Sequence, residues 1–253
     1  MNQIWRWQTL VQNSLSLPDF FYFLLQWEEP DGFSGERSYT ICSAPGAVST
    51  PNNWLIWKAA IPKDPNVTRL DLDITVAVQK CSTIPGGPYV YCKHLFEVYQ
   101  YEFDDIANPR PPSAETFTNK IATVNVSGPY LSETKPGSSK TRYRKQIEAY
   151  IQKNGVFFAI HDSGVCMSIF SVAVSYRVCS DKPENFVTFT KKISPPVSST
   201  RLRANGKCVA NSVTAGVSGL YAYCQSSGNW SLGPGVGCKY DAGYRPHNGY
   251  CEG

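Results

Sequence analysis

Nine cysteines in 253 residues constrain this chain more than any other feature: Cys42, Cys81, Cys92, Cys166, Cys179, Cys208, Cys224, Cys238 and Cys251. Thiols at that density are either metal ligands or disulfide partners. No C-x-x-C pair occurs and the three histidines (His94, His161, His247) are scattered, so the spacing of a zinc site is missing. What remains is a disulfide framework formed in an oxidising compartment. Three N-x-S/T sequons, at Asn66, Asn125 and Asn229, agree with an extracellular, glycosylated chain. Nine is odd, so at least one cysteine lacks a partner inside this sequence.

Between the cysteines, residues 27–180 read as strands. Leu70, Leu72, Ile74, Val76 and Val78 alternate with Asp71, Asp73, Thr75, Ala77 and Gln79, the period of a strand with one buried face. Leu95 to Phe103 is rich in aromatic and aliphatic residues (Phe96, Val98, Tyr99, Tyr101, Phe103), as expected of a strand covered on both faces. Val156 to Ile160 and Ser168 to Val178 repeat the pattern. Turn clusters such as Ser43-Ala44-Pro45-Gly46 and Pro85-Gly86-Gly87-Pro88 punctuate them. Short strands at this density predict a β-sandwich or jelly roll. Trp54, Phe96, Tyr99 and Tyr101 are expected in its core. One segment reads differently: Tyr143, Ile147, Tyr150 and Ile151 fall at i, i+4, i+7 and i+8, and that stripe predicts a short helix over 141–154.

Texture changes after Cys179. Residues 191–206 are polar and read as a linker, and Cys208 to Cys251 hold four cysteines among few aliphatics. So small a segment builds little core and needs disulfides as staples. A boundary near 180 is expected, giving a domain over 27–180 and a second module over 181–253. Residues 1–26 stand apart as an extension, because they lack the basic start, apolar core and cleavage site of a secretory leader.

Composition excludes several classes. Charged residues make up 17% and aromatics 13%, which does not fit a disordered chain. No apolar run is long enough to span a membrane. A net charge of +4 is too small to argue for nucleic acid. The basic excess sits in the tail: residues 181–253 carry eight basic and four acidic side chains, around Lys191, Lys192, Arg201, Arg203 and Lys207. His161-Asp162-Ser163 contains triad residue types, but three sequence neighbours do not face one another and no G-x-S-x-G elbow accompanies them. Glu28-Glu29 and Asp104-Asp105 point to opposite faces of a strand, so no glycosidase pair is indicated. The Gly-rich loop, H-R-D and D-F-G of a kinase are missing. No enzyme, metal or cofactor is expected.

Several stretches together carry a resemblance. They are Trp27-Glu28-Glu29, Ser38-Tyr39-Thr40-Ile41-Cys42, Asn52-Asn53-Trp54-Leu55 with the strand running to Cys81, and Cys92-Lys93-His94-Leu95-Phe96-Glu97-Val98-Tyr99. Phe157 to Cys179 closes the series. In this order they resemble the ephrin-binding domain of Eph receptor tyrosine kinases. The tail, with Gly206-Lys207-Cys208-Val209, Tyr223-Cys224, Gly228-Asn229-Trp230 and Cys238, is similar to the start of those receptors' cysteine-rich region. The resemblance implies an antiparallel jelly roll followed by a sushi-like module and the start of an EGF-like segment, and a strand where the stripe over 141–154 predicts a helix. It also implies the pairings Cys42–Cys166, Cys81–Cys92, Cys179–Cys224 and Cys208–Cys238. The first closes a loop long enough to restrict the unfolded chain by about 4–5 kcal/mol in the loop-entropy model. Cys251 is left over, and Tyr240 stands where the family has a cysteine in a C-x-C.

In that family a membrane-anchored ephrin on a neighbouring cell inserts an apolar loop into a channel, a pocket-filling hot spot with charged contacts at its rim. Carried over, the wall is Cys42–Cys166 with Ile41 and Val165, and Asp162, Ser163 and Gly164 lead into it. Asp31 to Glu36 and the stretch ending at Asn154-Gly155 would be the flanking loops. Gln79 stands where the family commonly has an arginine for the ligand's carboxylates, and glutamine offers no charge-assisted bidentate contact. The loop between Trp27 and Cys42 is shorter than is usual for the family. Arg142 matches a second ligand-contacting arginine, with Arg144 nearly as well placed. Receptor–receptor clustering is a further expectation from the family. Two rival readings of the residues are an adhesion or decoy fragment that has lost the ligand, and a glycan-binding jelly roll using exposed tyrosines.

Overall fold

The computed structural model describes residues 3–5, 21–24, 38–43, 47, 49–87, 89–133, 142–181, 183–216 and 219–253. Among them every regular element is a strand or a single 3-10 turn, and the chain is all-β. It divides into two compact units, one of Ile4–Pro65 with Leu70–Val174, the other of Ser175–Gly253 with Asn66–Arg69.

Two sheets, antiparallel except for one short parallel pairing, form the first unit. One contains β1 (Gln3–Trp5), β3 (Tyr39–Cys42), β6 (Arg69–Gln79), β9 (Leu131–Ser132), β10 (Tyr143–Tyr150) and β12 (Cys166–Tyr176), in the order β1-β12-β6-β10. Here β3 pairs with β12, and β9 runs parallel to β6. The other contains β2 (Phe21–Leu24), β4 (Asn53–Trp57), β5 (Ile61–Pro62), β7 (Leu95–Phe103), β8 (Asn119–Asn125) and β11 (Gly155–Asp162), in the order β2-β4-β11-β7-β8 with β5 on β11.

The sequence alternation of β6 sets its inner face: Leu70, Leu72, Ile74, Val76 and Val78 are all buried. Leu72, Ile74 and Val172 from one sheet meet Leu55, Val98, Phe158 and Ile160 from the other around an apolar void of about 10 Å³. A space that small and unlined by polar groups stays dry. β7 and β11 are covered on their second face as well. There Ile56, Phe157 and Ala159 gather with Phe117 from the segment before β8, and Trp54, Tyr99, Tyr101 and Phe103 close over them. That second layer explains why β7 reads as apolar on both faces.

Residues 143–150 form strand β10, where the spacing of Tyr143, Ile147, Tyr150 and Ile151 predicts a helix. Ile147 and Ala149 point inward as strand neighbours, while Tyr150 stays 47% exposed. A strand that buries two side chains in a preformed sheet outweighs a weak helical period with no partner.

The second unit is organised around β14 (Val187–Phe189), β16 (Leu202–Cys208), β18 (Tyr221–Cys224) and β19 (Trp230–Leu232), paired in that order. Three two-stranded ribbons complete it. They pair β13 (Val178–Cys179) with β15 (Lys192–Ile193), β17 (Ser212–Thr214) with β20 (Cys238–Tyr240), and β21 (Arg245–His247) with β22 (Tyr250–Glu252). Its core consists of Cys179, Val187, Phe189, Ala204, Ala222, Cys224, Trp230, Val236 and Cys238. Trp230 packs 5.0 Å from Phe189 between ring centres, and its indole N–H donates to the Ser180 carbonyl at 2.6 Å.

Candidate functional site

Four disulfides join Cys42 to Cys166, Cys81 to Cys92, Cys179 to Cys224 and Cys208 to Cys238, and Cys251 is a free, buried thiol. Cys42 and Cys166 are direct register partners across β3 and β12, followed by Ile41 with Met167, Thr40 with Ser168 and Tyr39 with Ile169. Successive strand residues face opposite sides. The sheet therefore separates neighbours in sequence. Cys42 is exposed, whereas Ile41 is 1% exposed and belongs to the core.

The face carrying the disulfide holds a set of polar contacts. The Thr40 and Ser168 hydroxyls lie 2.8 Å apart. Gln79 is buried beside Cys166, with its Oε1 3.5 Å from the cysteine sulfur and its Nε2 within 3.4 Å of the Thr83 carbonyl. The Arg142 guanidinium lies 4.2 Å over the Phe170 ring. Arg144 is engaged elsewhere: its Nε donates to Asp73 Oδ1 at 2.9 Å and a terminal nitrogen meets Oδ2 at 2.9 Å. A forked pair of that kind raises the guanidinium's pKa further and leaves Arg142 the arginine over the face.

The structure thus sorts the candidate residues. Cys42, Cys166 and Gln79 are brought together at the disulfide, whereas Arg142 lies over Phe170, four residues further along β12. Ile41 and Val165, expected on a channel wall, are taken into the interior at 1% and 0% exposure. Asp162 is fully buried too, and it holds the turn together. Its Oδ2 accepts from Ser43 Oγ at 2.7 Å and Asn53 Nδ2 at 3.0 Å; its Oδ1 accepts the backbone N–H groups of Gly164 at 2.7 Å and Val165 at 2.5 Å. Four donors satisfy a buried carboxylate completely, leaving it nothing to offer a ligand. Ser163 is buried beside it. Gly164 has φ of +124°, and a Cβ there would sit 1.9 Å from the Tyr91 carbonyl oxygen, so only glycine fits.

Of the expected flanking loops, 31–36 lies outside the described residues. Asn154-Gly155 is at the wrong end: it opens β11, whereas the disulfide follows the close of that strand, eight residues on. At strand rise this is a separation of about 25 Å. The Asn154 side chain is instead bound to the Asp104 carbonyl at 3.2 Å.

A second polar cluster on the outer face of the β4-β11-β7-β8 sheet was not legible as a unit. Glu97 Oε2 accepts from Tyr99 Oη at 2.9 Å and faces His161 Nδ1 at 3.0 Å, and Oε1 meets Lys120 Nζ at 2.8 Å. His161 Nε2 and the Trp54 indole N–H both point at Asn52 Oδ1, each at 2.9 Å, and the His161 ring stacks 4.4 Å from Trp54. Partial burial pushes the Glu97 carboxyl up, but the bonds from Lys120, His161 and Tyr99 outweigh it and bring its pKa down to about 2. Burial, then the Glu97 charge, push the Tyr99 phenol up to about 12. Among the described residues no group of three or more His, Cys, Asp or Glu is placed to hold a metal ion. No helix there is long and apolar enough to cross a membrane.

A jelly roll whose edge strand is disulfide-locked, followed in the chain by a small stapled module, defines a modular, disulfide-stapled all-β protein. The chain belongs to the ephrin receptor ligand binding domain family: the family model matches residues 3–179, and the model of the ephrin cysteine rich domain matches residues 181–239. Neither matched domain is catalytic. Ephrin type-B receptor 3 of Gallus gallus is 31% identical over 225 residues, covering 87% of this chain and 22% of the relative. Ephrin type-B receptor 2 of Gallus gallus is 30% identical over 226 residues, covering 86% and 22%. Ephrin type-A receptor 5 of Homo sapiens is 27% identical over 232 residues, covering 89% and 21%. The chain spans about a fifth of the length of these relatives. Among solved structures, the K1 cleaved adhesin domain of Lys-gingipain from Porphyromonas gingivalis W83 is a distant neighbour, with a TM-score of 0.40 and 14% identity over 69% of this chain and 97% of that one.

Proposed function

We propose that this chain is the extracellular, ligand-binding part of an ephrin receptor, which takes an ephrin from a neighbouring cell on the face that carries Cys42–Cys166. What supports the reading is the family match over 3–179, together with the Cys42–Cys166 disulfide that locks β3 to β12. In this reading the binding domain, expected over 27–180, also takes in β1 and β2, which pair within its sheets, and 181–253 are the cysteine-rich module. The disulfide fixes the floor, the Arg142 guanidinium supplies a charge at the rim, and Gln79 braces the disulfide from behind. Ile41, Val165, Asp162 and Ser163 act through the shape of the wall and its turn. Contact-dependent signalling and receptor clustering belong to the same proposal, as do glycans on Asn66, Asn125 and Asn229, whose side chains are exposed. The relatives include type-A and type-B receptors, so both ephrin classes are candidate ligands.

The experiment is surface plasmon resonance of the oxidised, glycosylated protein against A-class and B-class ephrin ectodomains, alongside Arg142→Glu. Saturable binding to one class, weakened about tenfold or more in the variant, is expected from the loss and reversal of one rim charge. Binding to no ephrin by a correctly folded protein would overturn the function. Binding untouched by Arg142→Glu would move the site off this face.

A further inference from the structure

We infer that the outer face of the β14-β16-β18-β19 sheet is a docking site for a sulfated polysaccharide chain. This goes beyond ephrin binding and uses none of its residues.

β16 turns Ala204 into the core at 6% exposure and leaves Arg203, Asn205 and Lys207 exposed on the opposite face. The register sets Arg203 beside Tyr223, Asn205 beside Tyr221 and Lys207 beside Thr188, and Tyr223 in turn beside Ser231. The outward surface is therefore a strip of cations next to a strip of aromatic rings. Arg201, also exposed, stands immediately before the strand. Alternate residues of a strand are about 7 Å apart, so Arg203 and Lys207 are spaced along the strip by roughly twice that.

Two features separate this face from an ordinary solvated one. First, the Arg203 guanidinium is held 4.5 Å over the Tyr221 ring, and that ring lies against Gly233, where a Cβ would come within 2.5 Å of it. Glycine lets the tyrosine lie down on the sheet, and the tyrosine then holds the arginine in place. A charge positioned in advance loses less freedom on binding. Second, the strip is uncompensated. The acidic residues of 181–253 are Asp181, Glu184, Asp241 and Glu252, none of which belongs to these four strands. Among the described residues neither Arg203 nor Lys207 forms an ion pair, although shorter-range pairs are made freely elsewhere, as by Lys80 with Glu133 and Lys120 with Glu97.

The chemistry that fits is a polymer alternating anionic groups with flat, weakly polar rings. Sulfates would meet the guanidinium and the ammonium, and a sugar ring would lie against the half-buried Tyr223 beside Arg203, while Tyr221 serves as the support that holds the arginine. A membrane surface fits less well, because lipid headgroups recruit through larger basic clusters, typically four to eight residues.

The test is binding of the folded 253-residue chain to immobilised heparin at about 0.15 M NaCl. Chemically desulfated heparin, and vesicles of phosphatidylcholine with phosphatidylserine, serve as the alternatives. Circular dichroism checks that every variant keeps its fold. Heparin alone should retain the protein. The double variant Arg203→Glu with Lys207→Glu should lose about tenfold or more in affinity, the scale of one or two charge-assisted contacts. Lys239→Glu with Arg245→Glu, equal in charge but on the ribbons, should bind as the parent does. Flow-through of the parent protein, equal retention by desulfated heparin, capture by the vesicles instead, or equal losses in both double variants would each overturn the proposal.

Discussion

The two units solve the same problem with different materials. In the first, two sheets bring aliphatic rows face to face, and of its four paired cysteines only Cys166 is buried. In the second, Cys179, Cys224 and Cys238 are themselves core residues, packed with Phe189 and Trp230. The lesson is one of scale. A small module has too little apolar surface to bury, so cross-links supply what packing cannot. The loop-entropy model rates Cys179–Cys224, with a sequence separation of 45, at about 4 kcal/mol. It rates Cys81–Cys92, with a separation of 11, at about 3 kcal/mol.

The sharpest way to break that contrast is to remove one disulfide from each unit. Cys179→Ala with Cys224→Ala should unfold the second unit while the first stays intact, read by limited proteolysis and hydrogen exchange along the chain. Cys81→Ala with Cys92→Ala should lower the melting temperature of the first unit without unfolding it at 25 °C. Protection of 181–253 in the first variant, or collapse in the second, would show that the units do not differ in this way. Next in size is Asp162→Ala, which strands four buried donors at once. A cost of about 3–4 kcal/mol is expected in denaturant titration, and a loss below about 1 kcal/mol would mean water replaces the carboxylate freely.

Acid supplies the gentlest probe. Glu97 has its pKa brought down from 4.5 to about 2 in the fold, and burial lowers that of His94 below 6.5. Both groups bind protons more readily when unfolded, so each stabilises above its unfolded value and the contribution fades as pH falls. The first unit should begin to lose stability below about pH 6.5 through His94, and lose more between 4.5 and about 2 through Glu97. Glu97→Gln should flatten the lower window alone in pH-dependent melting curves; an unchanged profile would remove Glu97 from the account.

Much of the fold was legible because strands announce themselves by alternation, and β6 states its inner face residue by residue. The reading of 143–151 failed for a geometric reason. Positions i and i+4 share a face in a strand as well as in a helix, so Tyr143 and Ile147 could not discriminate, and the inward Ala149 is too small to register as apolar pattern. The site was less legible. Whether Ile41 or Cys42 meets the ligand depends on which face is outward, and a one-residue difference decides it. For Asp162 only the local half was legible, the turn through Gly164 and Val165, because its other donors Ser43 and Asn53 are more than a hundred residues away. The cluster around Glu97 draws on four strands and a turn, and only the assembled sheet reveals it.

The register of β3 has a consequence for variation. A four-residue edge strand can ordinarily slide or fray, and every slip of one residue exchanges its two faces. Bonding Cys42 to the residue directly opposite makes one alignment permanent, whatever the chain does upstream. The disulfide therefore fixes which side chains of β3 face outward, independently of the length of chain that leads to it.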